Sequence, residues 1–202
     1  MDAKQTAFIA IMSALGIALS FVSLNIGFMS VAVPGQGTAA LDLSHIATFV
    51  AAVFGGAYIG ATVGFLGSIY AGYYFGYAGP GGLGLLSLIG IPLGKAMTGL
   101  LAGFLYKRLR IGNSSGHSLW AVPTTLLSYI PESVYTILYF LYIVTFFSGR
   151  VMTFMIPIVI PKGWIEIAIM SIMMSALVGN TGFREFINRY LQLPKIKRAI
   201  HN

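Results

Sequence analysis

The chain has 202 residues, 57% of them apolar and only 8% charged, with 25 glycines, no cysteine and a formal net charge of +7. This composition excludes a soluble core, disulfides and thiolate chemistry, and describes one integral-membrane domain over residues 1–202. The positive charge makes no nucleic-acid patch: Lys4, Lys107, Arg108, Arg110, Arg184, Arg189, Lys195, Lys197 and Arg198 stand at segment ends or in the tail, a topological pattern in a lipid bilayer.

The first apolar segment, about 5–30, starts behind Lys4 and outruns a signal-peptide h-region, so it reads as a span. Ala10, Ala14 and Ala18 recur on it every four residues, with Ala7 and Ser13 nearby. Such a small-residue ridge is ordinary packing if it faces the bundle and a docking surface if it faces outward. Residues 31–44 read as a loop broken by Pro34, Gly35 and Gly37, closing on Asp42, Ser44 and His45. Asp42 or Ser44 can cap the next helix, and His45 meets either a ligand or the membrane interface.

Residues 45–78 exceed one plain span at about 1.5 Å per residue. Gly55, Gly56 and Gly60 offer an inner turn, which predicts short helices at 43–57 and 58–76, the second ended by Gly79-Pro80-Gly81-Gly82. The rival is one tilted helix over 45–78 with 151–160 as a short extra segment, which gives that glycine cluster no role. Tyr70, Tyr73, Tyr74 and Tyr77 gather at the outer end of the second helix, as an aromatic belt or a pocket wall.

A fourth span, 84–107, stops at Lys107-Arg108-Leu109-Arg110, and 112–118 form a polar inner loop. A fifth covers 119–147, with Gly149-Arg150 outside, and a sixth covers 162–188 ahead of the inner tail QLPKIKR. The expected fold is an all-α six-transmembrane-helix bundle with both termini cytoplasmic, in the cell membrane. It places nine of the twelve basic residues inside, Arg150 and Lys162 outside, and Lys95 within a span.

Lys95 and Glu132 fall deep in the fourth and fifth spans, near Pro92 and Pro131. A charge at bilayer depth costs about 2.5–3.5 kcal/mol on insertion scales and faces a bundle interior or cavity. The two residues either border a polar ligand pocket or pair with each other to lock two helices. Glu166, one turn after Lys162, is a pocket residue or half of a surface pair, and Trp164 suits an interfacial anchor. Asn180, between Gly179 and Gly182, bonds across helices or marks a fraying end. Tyr135, Tyr139 and Tyr142 share a face of the fifth span and suit an aromatic, polar small molecule. His45, His117 and His201 fall on different sides, so no metal is expected. No cofactor, no catalytic constellation and no Walker motif is visible, so the chain reads as a non-enzyme.

The Ala10/Ala14/Ala18 ridge in QTAFIAIMSALGIALSF, LDLSHIATFVAAVFGGAYIGATVGFLGSIYAG at 41–72 and GIPLGKAMTGLLAGFLYKRL at 90–109 together resemble the substrate-binding membrane subunit, or S component, of energy-coupling factor vitamin transporters. The resemblance spans most of 7–190. It implies a six-helix binding subunit with an outward pocket walled by helices four to six and covered by the first loop. It implies vitamin or precursor capture, and docking of Ala10, Ala14 and Ala18 on a transmembrane coupling subunit driven by two cytoplasmic ATPases. Asp42, His45, Tyr74, Lys95, Glu132, Tyr135, Tyr139 and Glu166 are the candidate ligand residues. LDLSHI is somewhat similar to riboflavin-type members, and pantothenate, pyridoxine, biotin and cobalamin types stand as alternatives. A stand-alone transporter or channel and a structural assembly protein are the rival classes; the first usually carries an internal repeat or a continuous polar path, and neither is evident.

Overall fold

The computed structural model describes residues 3–26, 30–33, 37–78, 82–111 and 115–191, and only the backbone of 26, 30–33, 37–40 and 115–117. Pro34, Gly35, Gly79-Pro80-Gly81, residues 112–114, the QLPKIKR tail and His201 lie outside the described residues.

Helix α1 (Ala3–Ile26) buries Ile9, Ser13, Gly16, Ser20 and Ser23, a stripe at three- and four-residue spacing. Ala10, Ala14 and Ala18 lie off that stripe and are exposed. Strands β1 (Ser30–Val33) and β2 (Gly37–Ala40) then pair antiparallel, with Ser30 opposite Ala40 and Val33 opposite Gly37. A hairpin therefore stands where the sequence predicts a loop: the strands are four residues each and too short to show period-two alternation.

The 45–78 stretch divides, as the glycines predict, into α2 (His45–Gly55) and α3 (Ala57–Gly67), with the turn at Gly56, whose φ of +84° suits glycine. Gly60 belongs to α3 rather than to the turn. Ser68 interrupts next: its hydroxyl donates to the Gly64 carbonyl at 2.6 Å, and α4 (Ile69–Tyr73) follows, running into a π-helical turn over Tyr74–Ala78. Helix α5 (Leu85–Arg108) continues through Pro92. The fifth segment is a 3₁₀ turn (Ser115–Trp120), α6 (Ala121–Ser128), α7 (Ile130–Leu138) with Pro131 in its first turn, a π turn (Tyr139–Ile143) and α8 (Val144–Ser148).

The last segment corrects the expected 162–188 helix. After a 3₁₀ turn at Thr153–Met155, α9 (Ile156–Gly179) starts six residues earlier than expected and contains Pro161. Pro157 in its first turn accounts for the early start, because a missing N–H costs nothing there. The chain breaks at Asn180, whose side-chain oxygen accepts the Phe183 N–H at 2.9 Å and so caps α10 (Thr181–Leu191).

Among the described residues four helical stretches are long and apolar enough to cross a membrane: Ala3–Asn25, Leu85–Arg108, Ser118–Ser148 and Thr153–Gly179. Helices in lipid gain little from burying apolar side chains against one another, so close backbone approach and polar contacts hold them. Residues 56, 60, 64, 68, 72 and 76 are Gly, Gly, Gly, Ser, Gly and Gly, and this edge of α3 and α4 lies along α5. A Cβ on Gly60 would sit 2.7 Å from the Gly99 carbonyl oxygen, and one on Gly64 2.5 Å from that of Lys95. Gly16 of α1 meets Gly67 in the same way, at 2.9 Å from its Cα. On the far side Ile167, Met170, Met174 and Val178 of α9 pack with Phe49 of α2, Tyr106 of α5 and Tyr129 between α6 and α7. These contacts leave a space between α5, α7 and α9, under the residues that follow the hairpin.

Candidate functional site

That space is a cavity of about 390 Å³. Asp42, His45, Tyr74, Lys95, Glu132, Tyr135, Tyr139 and Glu166 all line it, although they come from the hairpin exit, α2, the π turn after α4, α5, α7, the π turn after α7, and α9. Among the described residues no group of three or more His, Cys, Asp or Glu side chains is arranged to hold a metal ion.

The polar groups meet through the short stretch 41–45. Lys95, 4% exposed, donates to Asp42 Oδ2 and to Ser44 Oγ, the latter at 2.5 Å. The other Asp42 oxygen accepts the Ser44 N–H at 3.0 Å, an Asx turn that aims the carboxylate at α5. The Asp42 backbone N–H donates to Glu166 Oε1 at 2.6 Å, which ties the same stretch to α9. His45 Nε2 lies 3.0 Å from Glu132 Oε2, and Thr98 donates to that same oxygen at 2.5 Å, which ties it to α7 and α5.

These partners revise four expectations. Lys95 and Glu132 do not pair with each other; each instead bonds a residue of the 42–45 stretch. Asp42 makes a turn and an ion pair, and Ser44, the residue before α2, makes no side-chain cap. His45 is 2% exposed and bonded to Glu132, so it is no interfacial residue. Lys162 and Glu166 do pair, at 3.1 Å, but their side chains are 12% and 6% exposed and line the cavity rather than the surface.

The walls are aromatic, and glycines make room for them. A Cβ on Gly90 would strike the Tyr139 ring, and one on Gly94 would approach Tyr135 to 3.2 Å and the Glu132 stem to 3.3 Å. Gly163 of α9 receives the Tyr129 hydroxyl in the same way. Tyr142 leaves this face and is 66% exposed, because the π turn over 139–143 advances the chain by more residues per turn than an α-helix. The Tyr70 cluster divides likewise: Tyr74 lines the cavity, Tyr70 accepts a bond from Asn25 at 2.6 Å, and Tyr73 and Tyr77 are exposed. Trp164 packs edge-on against Tyr129 at 5.3 Å.

Sequence reasoning missed several lining or supporting residues. Thr98 lies three residues after Lys95 and therefore on its face of α5, a signal that the spacing carried. Phe75 and Lys162 also line the cavity, and Lys162 sits 5.6 Å above the Phe75 ring.

In comparison with known proteins, the profile described as "ECF transporter, substrate-specific component" matches residues 4–178, which is most of the chain. No curated protein and no solved structure matches.

Proposed function

The chain belongs to the family of ECF transporter substrate-specific components, and on that premise we propose that it captures a vitamin or vitamin precursor, with riboflavin the leading candidate, for ATP-driven uptake. The observation that carries this reading is the convergence of six ionisable side chains and four tyrosines on one cavity of about 390 Å³. Spaces of a few hundred Å³ with apolar walls and a few fixed polar groups are typical of small-molecule sites. Tyr129, Tyr135 and Tyr139 offer flat surfaces to a ring system, and Asp42, His45, Lys95, Glu132 and Glu166 offer polar partners at its edges.

In this reading six spans cross the cell membrane: α1, α2, α3 with α4, α5, the 118–148 segment and the 153–179 segment. Both termini are cytoplasmic and the cavity faces outward. Helix α2, about 16 Å long at 1.5 Å per residue, reaches only part of the way across and relies on the 41–45 stretch for the remainder. The exposed row Ala10, Ala14 and Ala18 is the surface on which a transmembrane coupling subunit docks, and a pair of cytoplasmic ATPases supplies the energy this chain has no motif to use.

Native mass spectrometry of the protein purified in mild detergent tests the reading. A retained vitamin, or a yellow preparation with a flavin spectrum, supports it. Uptake by liposomes without any ATPase would instead favour a stand-alone transporter, and failure to bind any vitamin would overturn the proposal.

A further inference from the structure

With His45 counted as neutral, the charges around the cavity do not cancel: the carboxylates outnumber the lysines by one. Three carboxylates, Asp42, Glu132 and Glu166, line it against two lysines, Lys95 and Lys162, with His45 as the remaining ionisable group. Each lysine charge is matched by a carboxylate, Lys95 by Asp42 and Lys162 by Glu166, and Lys95 also donates to Ser44 while Lys162 sits over the face of Phe75. Glu132 has no lysine, and two carboxylate oxygens have no partner among the described residues. Glu132 uses Oε2 for both His45 and Thr98, so its Oε1 takes no partner among the described residues. Glu166 uses Oε1 for both the Asp42 N–H and Lys162, which leaves Oε2 in the same condition. His45 Nδ1 is buried and likewise unbonded. The undescribed stretches 27–29, 34–36 and 79–81 contain no ionisable side chain that could redress the balance, and Arg150 is exposed and bonded to the Gly82 carbonyl at 3.2 Å.

Resting on the vitamin-capture reading, we infer that the cavity selects a neutral or cationic small molecule presenting N–H or O–H donors, and that it rejects carboxylate and phosphate compounds. A donor-bearing ligand bonds the free oxygens of Glu132 and Glu166 without disturbing the contacts their other oxygens make. An anionic ligand instead meets two lysines whose charges are already matched by Asp42 and Glu166, and adds its own charge to that of Glu132. Even with every pair intact, one uncompensated like charge about 6 Å away, at an effective dielectric of about 20, weakens binding by a factor on the order of a hundred.

The test is calorimetric titration of the detergent-purified protein with matched probes differing by one anionic group: riboflavin and its monophosphate, thiamine and its monophosphate, pyridoxamine and its phosphate, nicotinamide and nicotinate, biotinamide and biotin, pantothenol and pantothenate. In whichever pair binds, the neutral or cationic member should bind at least about tenfold more tightly. Glu166→Gln, which releases Lys162, should shrink that gap by about tenfold; Glu132→Gln provides the same readout where the first variant does not fold. An anionic member that binds as tightly as its counterpart, or a gap unchanged in a ligand-binding Glu→Gln variant, overturns the inference while vitamin capture stands. If no member of any pair binds, the vitamin reading falls, and the inference with it.

Discussion

Replacing Lys95 with Met keeps most of the side-chain volume on α5 and removes its charge. Asp42, 4% exposed, then retains only the Ser44 N–H at 3.0 Å on one oxygen, while the other loses its cation. Removing one partner of a buried ion pair costs about 3–5 kcal/mol, because the surviving charge stays desolvated. Asp42→Asn should cost a similar amount by stranding Lys95. The double variant K95M/D42N strands neither, so its loss should fall short of the sum of the single losses by about 2 kcal/mol or more. Unfolding by SDS titration in mixed micelles measures all four proteins in one assay. Losses that add to within about 0.5 kcal/mol would refute the reasoning, since that is the behaviour of independent sites.

Other perturbations separate packing, ligand contact and docking. Glu132→Gln weakens the bonds from His45 and Thr98 and should reduce ligand affinity about tenfold by calorimetry, an amount suited to losing a charge-assisted hydrogen bond. Gly64→Val forces a Cβ to within 2.5 Å of the Lys95 carbonyl oxygen, backbone against helix, and should destabilise by about 1–3 kcal/mol; an unchanged melting temperature contradicts the close α3–α5 crossing. Ala14→Trp, on the exposed row of α1, should leave ligand affinity intact and abolish ATP-driven uptake in liposomes containing the coupling and ATPase subunits; retained uptake would remove that row from the docking surface.

Much of this arrangement was legible because lipid imposes simple rules. The apolar runs located the long helices, the Gly55-Gly56 pair located the turn at Gly56, and the cost of buried charge singled out Lys95 and Glu132. Their partners were not legible: Asp42 reaches Lys95 across 53 residues and Glu166 across 124, distances over which neither periodicity nor propensity carries information. Rotation about a helix axis was also hidden. Lys162 and Glu166 have the same four-residue spacing whether they face lipid headgroups or a cavity, and the π turn at 139–143 carries Tyr142 off the face that an α-helix would give it.

The stretch Leu41–His45 binds three walls at once: Asp42 holds α5 through Lys95 and α9 through its backbone N–H on Glu166, and His45 holds α7 through Glu132. Apolar packing in lipid contributes little to the spacing of these helices, so the three ties set the width of the cavity. At Glu132 and Glu166 the tie occupies one carboxylate oxygen and leaves the other without a partner among the described residues, whereas both oxygens of Asp42 are spent. Under the proposed function, ligand contact and bundle integrity are therefore divided among the three acids. Glu132→Gln and Glu166→Gln, which keep an acceptor oxygen for the tie, should alter affinity more than stability. Asp42→Asn should do the reverse, lowering stability first and affinity only as the cavity loses its shape.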